Sequence, residues 1–233
     1  MGRPGRSGLF YGWIVAATSG ITMATGYSVR YSFSRFFLVM VDDFGWRRAT
    51  ASGIFSANII AYGLSAPIVG ILADRLGARR IVPVGAILIA AGALLASQAS
   101  ALWQFYLLWM LMAVGTCCTG YVPHCVTMTN WFVRKRGAAM GVFQGLSALS
   151  FLAPFLTQLV IGAWSWRVAY VFWAVAVVAI AIPLALLFQK RRPQDMGLQP
   201  DGLSGEASPQ IGAAADPTIV DRRWVATEWT VGS

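Results

Sequence analysis

The sequence predicts an all-α integral membrane protein, a bundle of six transmembrane helices, and three observations predict it. Hydrophobic residues make up 57% of the 233 residues and charged residues only 12%, which is too little polar surface to coat a soluble globule. A hydrocarbon core of about 30 Å requires about 20 apolar residues per helix, and the chain contains six such runs. The basic residues between these runs alternate in a way that assigns the two sides of a membrane.

The six apolar runs define the predicted spans. They cover residues 11–40, 49–72, 81–101, 103–128, 138–162 and 166–189. Tryptophans lie near the ends of several runs, where an indole ring can place its N–H among lipid headgroups. The first run is longer than the core of a signal peptide, and no small-residue cleavage site follows it. We therefore expect it to be an uncleaved helix.

The basic clusters predict the orientation. Arginine and lysine are concentrated at 3–6, 75–80, 134–136 and 190–192, in every second connection, whereas the other connections are neutral overall or carry a single arginine. The excess of positive charge on cytoplasmic loops therefore predicts that both termini are cytoplasmic. The net charge of +9 needs no nucleic-acid partner, because the bases lie in short clusters at helix ends rather than on one face.

Two segments flank the predicted bundle, which occupies residues 11–189. Residues 1–10 form a short basic arm. Residues 190–233 change in composition, with four prolines separated by Gly, Ala, Asp and Gln, and predict a solvated, flexible cytoplasmic linker.

The loop between the second and third runs, Gly70 to Arg80, carries one acid and three arginines between two membrane-length segments, so its charges must lie at a membrane face. It resembles the short cytoplasmic loop after the second helix of the major facilitator superfamily of transporters. The matching positions are Gly70, Asp74, Arg75, Gly77 and Arg79, whereas Ala78 departs from the pattern because a basic residue is common there. The resemblance implies a charge–dipole latch between the two halves of a transporter.

Further motifs resemble one branch of that superfamily, the monocarboxylate and oxalate/formate group. They are Tyr11-Gly-Trp13, Arg30-Tyr-Ser-Phe33, Phe44-Gly-Trp46, and Trp131-Phe132 followed by Arg134-Lys-Arg-Gly137. Two more, Ser165-Trp-Arg-Val-Ala-Tyr170 and Arg192-Pro-Gln-Asp-Met-Gly197, are similar to bacterial members, which implies a bacterial inner membrane. Ser34-Arg35 departs from the group, which often has Gly-Val there.

The resemblance implies a fold of two inverted three-helix units, followed in complete transporters by a linker and six more helices. We therefore expect this chain to be an amino-terminal half plus its linker, with the second half absent. The implied function is secondary active transport of a small organic anion, a monocarboxylate or a dicarboxylate, by proton symport or anion exchange. Two alternatives stay open: a truncated, non-transporting membrane fragment, and a half-transporter that works as a homodimer.

No enzymatic activity is expected, because the sequence contains no Walker loop, no Gly-x-Ser-x-Gly elbow and no paired catalytic carboxylates. We expect no cofactor. The expected partners are the organic anion, the lipid bilayer and a second transporter half or a second copy of the chain.

Arg30 is the first candidate for substrate binding, since a guanidinium inside a span is costly and can hold a carboxylate with two hydrogen bonds. Tyr27 and Ser34 share its helix face and could hold the guanidinium or touch the ligand. If the first helix continues to about Val41, Arg30 lies near the bilayer centre. If it ends near Phe33, Arg30 instead reaches the outer headgroups.

The fourth run supplies two further candidates, Tyr121 and His124. His124 could line a cavity, relay protons or pack against a neighbouring helix. A metal site with Cys117, Cys118 and Cys125 is disfavoured, because one rigid helix cannot wrap four ligands tetrahedrally around an ion. The uncharged polar residues Asn58, Tyr62, Gln144 and Gln158 could line a cavity or, by default, hydrogen-bond between helices.

Overall fold

A computed structural model of the protein describes residues 11–189, so the predicted basic arm and linker lie outside the described residues. Every regular element in the described range is helical. The helices are α1 Tyr11–Tyr31, α2 Phe33–Phe44, α3 Arg48–Leu76, α4 Ala78–Ala96, α5 Leu102–Thr119, α6 Tyr121–Trp131, α7 Arg136–Ser147, α8 Ala153–Ala163 and α9 Trp166–Phe188, with a 3₁₀ turn at Ala148–Leu152.

These helices form six consecutive spans. Span one is α1 with α2, span two is α3, span three is α4, span four is α5 with α6, span five is α7 to α8, and span six is α9. The prediction of a six-helix bundle is confirmed. Its boundaries differ by a few residues: span three begins at Ala78 rather than 81, and span four extends to Trp131 rather than 128.

Spans two to six are long and apolar enough to cross a membrane, whereas span one is not among the segments that qualify on length and composition. Glycine, serine and threonine dilute the hydrophobicity of α1. The reason lies in packing, because α1 contacts α7 and α9 and also touches α5, α6 and α8. Its hydroxyls donate to the preceding turn, as when Thr18 Oγ1 donates to the Ile14 carbonyl at 2.8 Å.

Spans one, four and five are interrupted where the sequence predicts continuous runs. Span four breaks at Gly120, and span five passes through the 3₁₀ turn. A proline ring clashes with the carbonyl four residues earlier. For Pro123 that residue is Thr119, the last of α5, and for Pro154 it is Ser150, inside the 3₁₀ turn. Pro67 lies inside α3, which runs through it without a break.

Spans three and four cross closely at two glycines. A Cβ added to Gly85 would lie 2.7 Å from the Gly115 carbonyl oxygen and 2.6 Å from Cys118 Cβ. The converse also holds, since a Cβ at Gly115 would lie 2.7 Å from the Gly85 carbonyl oxygen. Such contact between backbones is the packing that small residues permit in membrane proteins.

The largest buried cluster joins spans one, three, four and six around aromatic rings. Phe36 stacks on Tyr170 with ring centroids 4.0 Å apart, and the Trp109 indole N–H donates to the Tyr170 hydroxyl at 3.1 Å. Asn58 of α3 donates to the Trp109 carbonyl at 2.7 Å, so it bridges spans two and four as the default interpretation predicts. This core fixes the helices that carry the candidate site.

Candidate anion-binding site

Arg30 lies within span one rather than at its end. It is in the last turn of α1, and the backbone stays nearly helical beyond it, since the Ser32 N–H donates to the Ser28 carbonyl at 3.0 Å and the Phe36 N–H donates to the Ser32 carbonyl at 3.2 Å. The chain then continues as α2 to Phe44. The helix α1 itself ends at Tyr31, close to Phe33, but the helical segment continues through Ser32 into α2.

The Arg30 guanidinium packs on aromatic rings of α3. Its Cζ lies 4.7 Å from the ring centroid of Tyr62 and 5.9 Å from that of Phe55, both within cation–π range. The side chain is half-buried. Within residues 11–189 the Arg30 side chain makes no hydrogen bond and no ion pair, so the N–H donors of its guanidinium have no acceptor among these residues.

Tyr27 completes this group of residues. Its hydroxyl oxygen lies 2.8 Å from that of Tyr62, which joins spans one and two directly beside the cation. On the other side its ring lies against the break in span four, because a Cβ at Gly120 would come within 3.1 Å of the Tyr27 hydroxyl. Any side chain at position 120 would push this ring away.

The sequence interpretation did not connect Tyr62 or Phe55 with Arg30. Tyr62 was assigned by default to helix packing, and Phe55 was not singled out. A signal existed, because the two aromatics are seven residues apart and therefore share one face of α3. What it could not supply is the pairing of that face with Arg30 of span one.

Two exposed aromatic residues extend the group. The Tyr31 ring centroid is 5.8 Å from that of Tyr27 and 4.9 Å from that of Phe151, which belongs to the 3₁₀ turn of span five. Tyr31 is 36% exposed and Phe151 is 66% exposed. Neither was a candidate, although the spacing of Tyr27 and Tyr31 places them on one helix face.

The third predicted residue of span one, Ser34, lies on α2 and is exposed. No hydrogen bond within the described range joins it to Arg30 or Tyr27. Between α1 and α2 the Ser32 Oγ accepts from Thr157 Oγ1 at 2.7 Å, and Thr157 Oγ1 in turn accepts from the Trp173 indole N–H at 2.8 Å. Arg30 and Tyr27 therefore lie together on α1, whereas Ser34 lies on α2, beyond the turn at Ser32.

His124 and Tyr121 lie on α6, beyond the Gly120 break. His124 is fully buried, with its ring 5.7 Å from that of Phe143. Neither ring nitrogen has a hydrogen-bond partner among residues 11–189, although the backbone of Thr119 lies nearby outside hydrogen-bonding geometry. Tyr121 is exposed, and its ring is 6.1 Å from that of Phe143.

Among the described residues, no group of three His, Cys, Asp or Glu side chains could hold a metal ion. Cys117 and Cys118 are buried and Cys125 is partly buried, and all three are free thiols. Cys117 and Cys118 lie on α5 and Cys125 lies on α6, on either side of the break at Gly120.

The candidate latch forms the turn between spans two and three. Gly77 ends α3 and precedes α4 with φ +77 and ψ 159, a backbone conformation that L side chains rarely adopt, which explains its glycine. Asp74, Arg75 and Arg79 are exposed on either side of it. Gly70 is different, because a Cβ there would meet only Val122 Cγ1 at 3.7 Å, an ordinary contact. The described residues give no reason for glycine at position 70.

The fold and this group of residues define a multi-span membrane protein of the transporter class. The model of the Major Facilitator Superfamily matches residues 8–225, and the chain belongs to that superfamily, whose members are integral membrane transporters. The predicted family is thereby confirmed, as is the placement of the chain in the membrane as a multi-pass protein.

Curated relatives sharpen the comparison. The chain is 30% identical over 202 residues to monocarboxylate transporter 13 of Bos taurus, a match covering 86% of the chain and 46% of the relative. It is 32% identical over 158 residues to the Rattus norvegicus protein of that name, covering 67% of the chain and 37% of the relative. A third relative is the fujikurins efflux protein of Gibberella fujikuroi, 40% identical over 82 residues, 35% of the chain and 17% of the relative. The chain thus spans less than half the length of these relatives.

Proposed function

We propose that the protein is the amino-terminal part of a secondary active transporter that moves a small organic anion, a monocarboxylate or a dicarboxylate, by alternating access. The observation that carries the proposal is Arg30, a half-buried guanidinium inside span one that lies over Tyr62 and has no ion pair or hydrogen bond within residues 11–189. The proposed transport is coupled either to proton symport or to anion exchange.

The arrangement around Arg30 suits an anion. A planar guanidinium lying over an aromatic face keeps its in-plane N–H groups for a carboxylate, which it can bind with two parallel hydrogen bonds. An ionisable side chain inside a span is a functional site by default, because the bilayer penalises it. The Tyr27 and Tyr62 hydroxyls, 2.8 Å apart, supply a further O–H donor beside it. The names of the mammalian relatives, monocarboxylate transporters, support an anionic substrate.

Three residues join this proposal with less direct support. Ser34 is exposed two residues beyond Ser32, in the first turn of α2, and Tyr121 is exposed at the start of α6. His124 has buried, unpartnered nitrogens within the described range. We propose that these three residues contact the anion or the groups that move with it during the transport cycle.

We further propose that Gly70, Asp74, Arg75, Gly77 and Arg79 form a latch on the cytoplasmic side, with both termini on that side of a bacterial inner membrane. The exposed charges at the end of α3 and the start of α4 support a latch, since charges interact with helix ends and with charges on a facing segment. The contact space left open at Gly70 is available to such a segment.

The working unit has three possible forms: this chain with a second six-helix half, a homodimer, or a fragment that does not transport. Uptake of labelled carboxylates into vesicles that contain this chain alone is expected only of the homodimer, and cross-linking in the same vesicles detects it. Uptake that appears only on co-expression with a second half identifies the first form, and no uptake in either case identifies the fragment.

The decisive variant is Arg30→Gln, with Arg35→Gln as its control, because Arg35 is an exposed arginine on the same span. We expect Arg30→Gln to weaken carboxylate binding by about tenfold or more, the loss typical of a charged hydrogen-bonding partner. Arg35→Gln should bind as the parent does. Equal binding by Arg30→Gln and the parent chain would remove Arg30 from the site.

A further inference from the structure

Four aromatic rings form a continuous series that begins at Arg30, and we call them the aromatic wall: Tyr62, Tyr27, Tyr31 and Phe151. The Arg30 Cζ lies 4.7 Å from the Tyr62 centroid. The following centroid separations are 6.5 Å from Tyr62 to Tyr27, 5.8 Å from Tyr27 to Tyr31 and 4.9 Å from Tyr31 to Phe151. All three lie within the range in which aromatic rings interact. The wall crosses spans two, one and five.

Exposure increases along the wall. Tyr62 and Tyr27 are half-buried beside the cation, Tyr31 is 36% exposed, and Phe151 is 66% exposed. The stack of Phe36 on Tyr170 contrasts with it, because both of those rings are fully buried and belong to the core. The outer rings of the wall, Tyr31 and Phe151, therefore have exposed faces on which a ligand could stack.

The aromatic wall has one positive charge beside it, the Arg30 guanidinium. Arg30 is the one cation within ring-contact distance of the wall among residues 11–189. One guanidinium matches one carboxylate. A second carboxylate on the same ligand would lie against ring faces, whose quadrupole is negative, without a second guanidinium to pair with. A planar apolar group would instead find ring faces to stack on.

We propose that the aromatic wall makes this site selective for monocarboxylates that carry an aromatic ring. The carboxylate binds Arg30, and the ring of the ligand lies against Tyr31 and Phe151. This inference rests on the proposed function and narrows it, because it excludes dicarboxylates and short aliphatic acids as the preferred ligands.

Equilibrium binding of phenylacetate, propionate and succinate to the purified full chain in lipid nanodiscs tests the inference. We expect phenylacetate to bind at least about tenfold more tightly than the other two acids, a gain that ring stacking and apolar burial can supply. Phe151→Leu, which keeps apolar bulk but removes the ring, should reduce that advantage several-fold, because it weakens phenylacetate binding more than propionate binding.

Two controls make the result specific. Phe155→Leu removes a 63% exposed ring from the same span that has no aromatic neighbour within the described range, and it should leave all three affinities unchanged. Arg30→Gln should weaken phenylacetate and propionate alike. Size-exclusion profiles and circular dichroism of each variant establish that it is folded.

The outcomes separate the two claims. Equal affinity for phenylacetate and propionate in the parent chain, or an unchanged preference in Phe151→Leu, would overturn the selectivity while the proposed anion site survives. Stronger binding of succinate than of phenylacetate would also overturn it. Binding of none of the three acids would overturn the proposed anion site itself, and the selectivity with it.

Discussion

The hydroxyl oxygens of Tyr27 and Tyr62 lie 2.8 Å apart, in a hydrogen bond that crosses from span one to span two beside the Arg30 guanidinium. One hydroxyl donates and the other accepts, so the pair retains a single O–H that can turn towards a ligand. This bond orients the ring on which the cation lies. Binding of an anion and cohesion of the two spans therefore depend on the same pair.

Removing one hydroxyl separates these roles. Tyr62→Phe keeps the ring under Arg30 but loses the bond to Tyr27, so we expect the free energy of unfolding to fall by about 1 kcal/mol. Tyr62→Leu also loses the cation–π contact and should weaken carboxylate binding further. Chemical denaturation and carboxylate binding of both variants provide the measurement. Identical binding by the two would mean that the ring does not position Arg30.

Arg30→Lys tests whether charge alone is sufficient. Lysine keeps the positive charge but loses the planar group that stacks on Tyr62 and binds a carboxylate with two hydrogen bonds. We expect an affinity between those of the parent chain and Arg30→Gln, with a loss of about five- to tenfold relative to the parent. Full retention of affinity in Arg30→Lys would favour a simple electrostatic role.

The crossing of spans three and four gives a matched pair of glycine substitutions. Gly85→Ala places a Cβ 2.7 Å from the Gly115 carbonyl oxygen, so the helices must separate, and we expect a cost of about 1–3 kcal/mol. Gly141→Ala is the control, because its Cβ meets nothing within 4 Å in the described range. There alanine should stabilise α7 by up to about 1 kcal/mol through helix propensity. Thermal unfolding in detergent compares the two, and equal shifts would contradict the close crossing.

The hydrogen bonds at the bend of span one should also be measurable. Thr157→Val keeps the shape of the side chain but leaves the Trp173 indole N–H and the Ser32 hydroxyl without their shared partner. We expect a loss of about 1–3 kcal/mol, the usual cost of an unpaired buried polar group. Thr129→Val removes an exposed hydroxyl that bonds only within its own turn, at 2.9 Å to the Val126 carbonyl. It should be nearly neutral, and a similar loss in both variants would show that the buried bonds contribute little.

Substitution of His124, unlike that of Thr157, is not expected to lower the free energy of unfolding. Both its nitrogens are buried without a partner among the described residues, so burying the ring is unfavourable. His124→Leu removes that cost and should leave the unfolding free energy unchanged or raise it by up to about 2 kcal/mol. A loss of more than about 1 kcal/mol would mean that the ring has a partner when the protein lies in its membrane.

The sequence predicted well those features that the lipid bilayer imposes on each helix separately. Apolar run length predicted the six spans. Glycine at position 77 agrees with the positive φ of the backbone there, although the family resemblance, and no conformational argument, singled this residue out. The interruptions were harder, because Pro123 and Pro154 break their spans whereas Pro67 does not, and all three look alike in the sequence. For the candidate site, the sequence showed that Tyr27 shares a helix face with Arg30, but not that a turn at Ser32 would place Ser34 on the next helix, α2.

The sequence by itself determined that this protein is a bundle of membrane-spanning helices, because hydrophobic length and loop charge follow from the energetics of the bilayer residue by residue. Its resemblance to the major facilitator superfamily rested on short motifs, the Gly70–Arg80 loop first among them. Only the tertiary structure decided which rings surround Arg30. Tyr62 and Phe55 reach it from span two, and the faces that helices present to each other depend on how all six pack together. Helical spacing constrains neighbours within a span, whereas packing between spans, as at Gly85 and Gly115, sets the contacts among them.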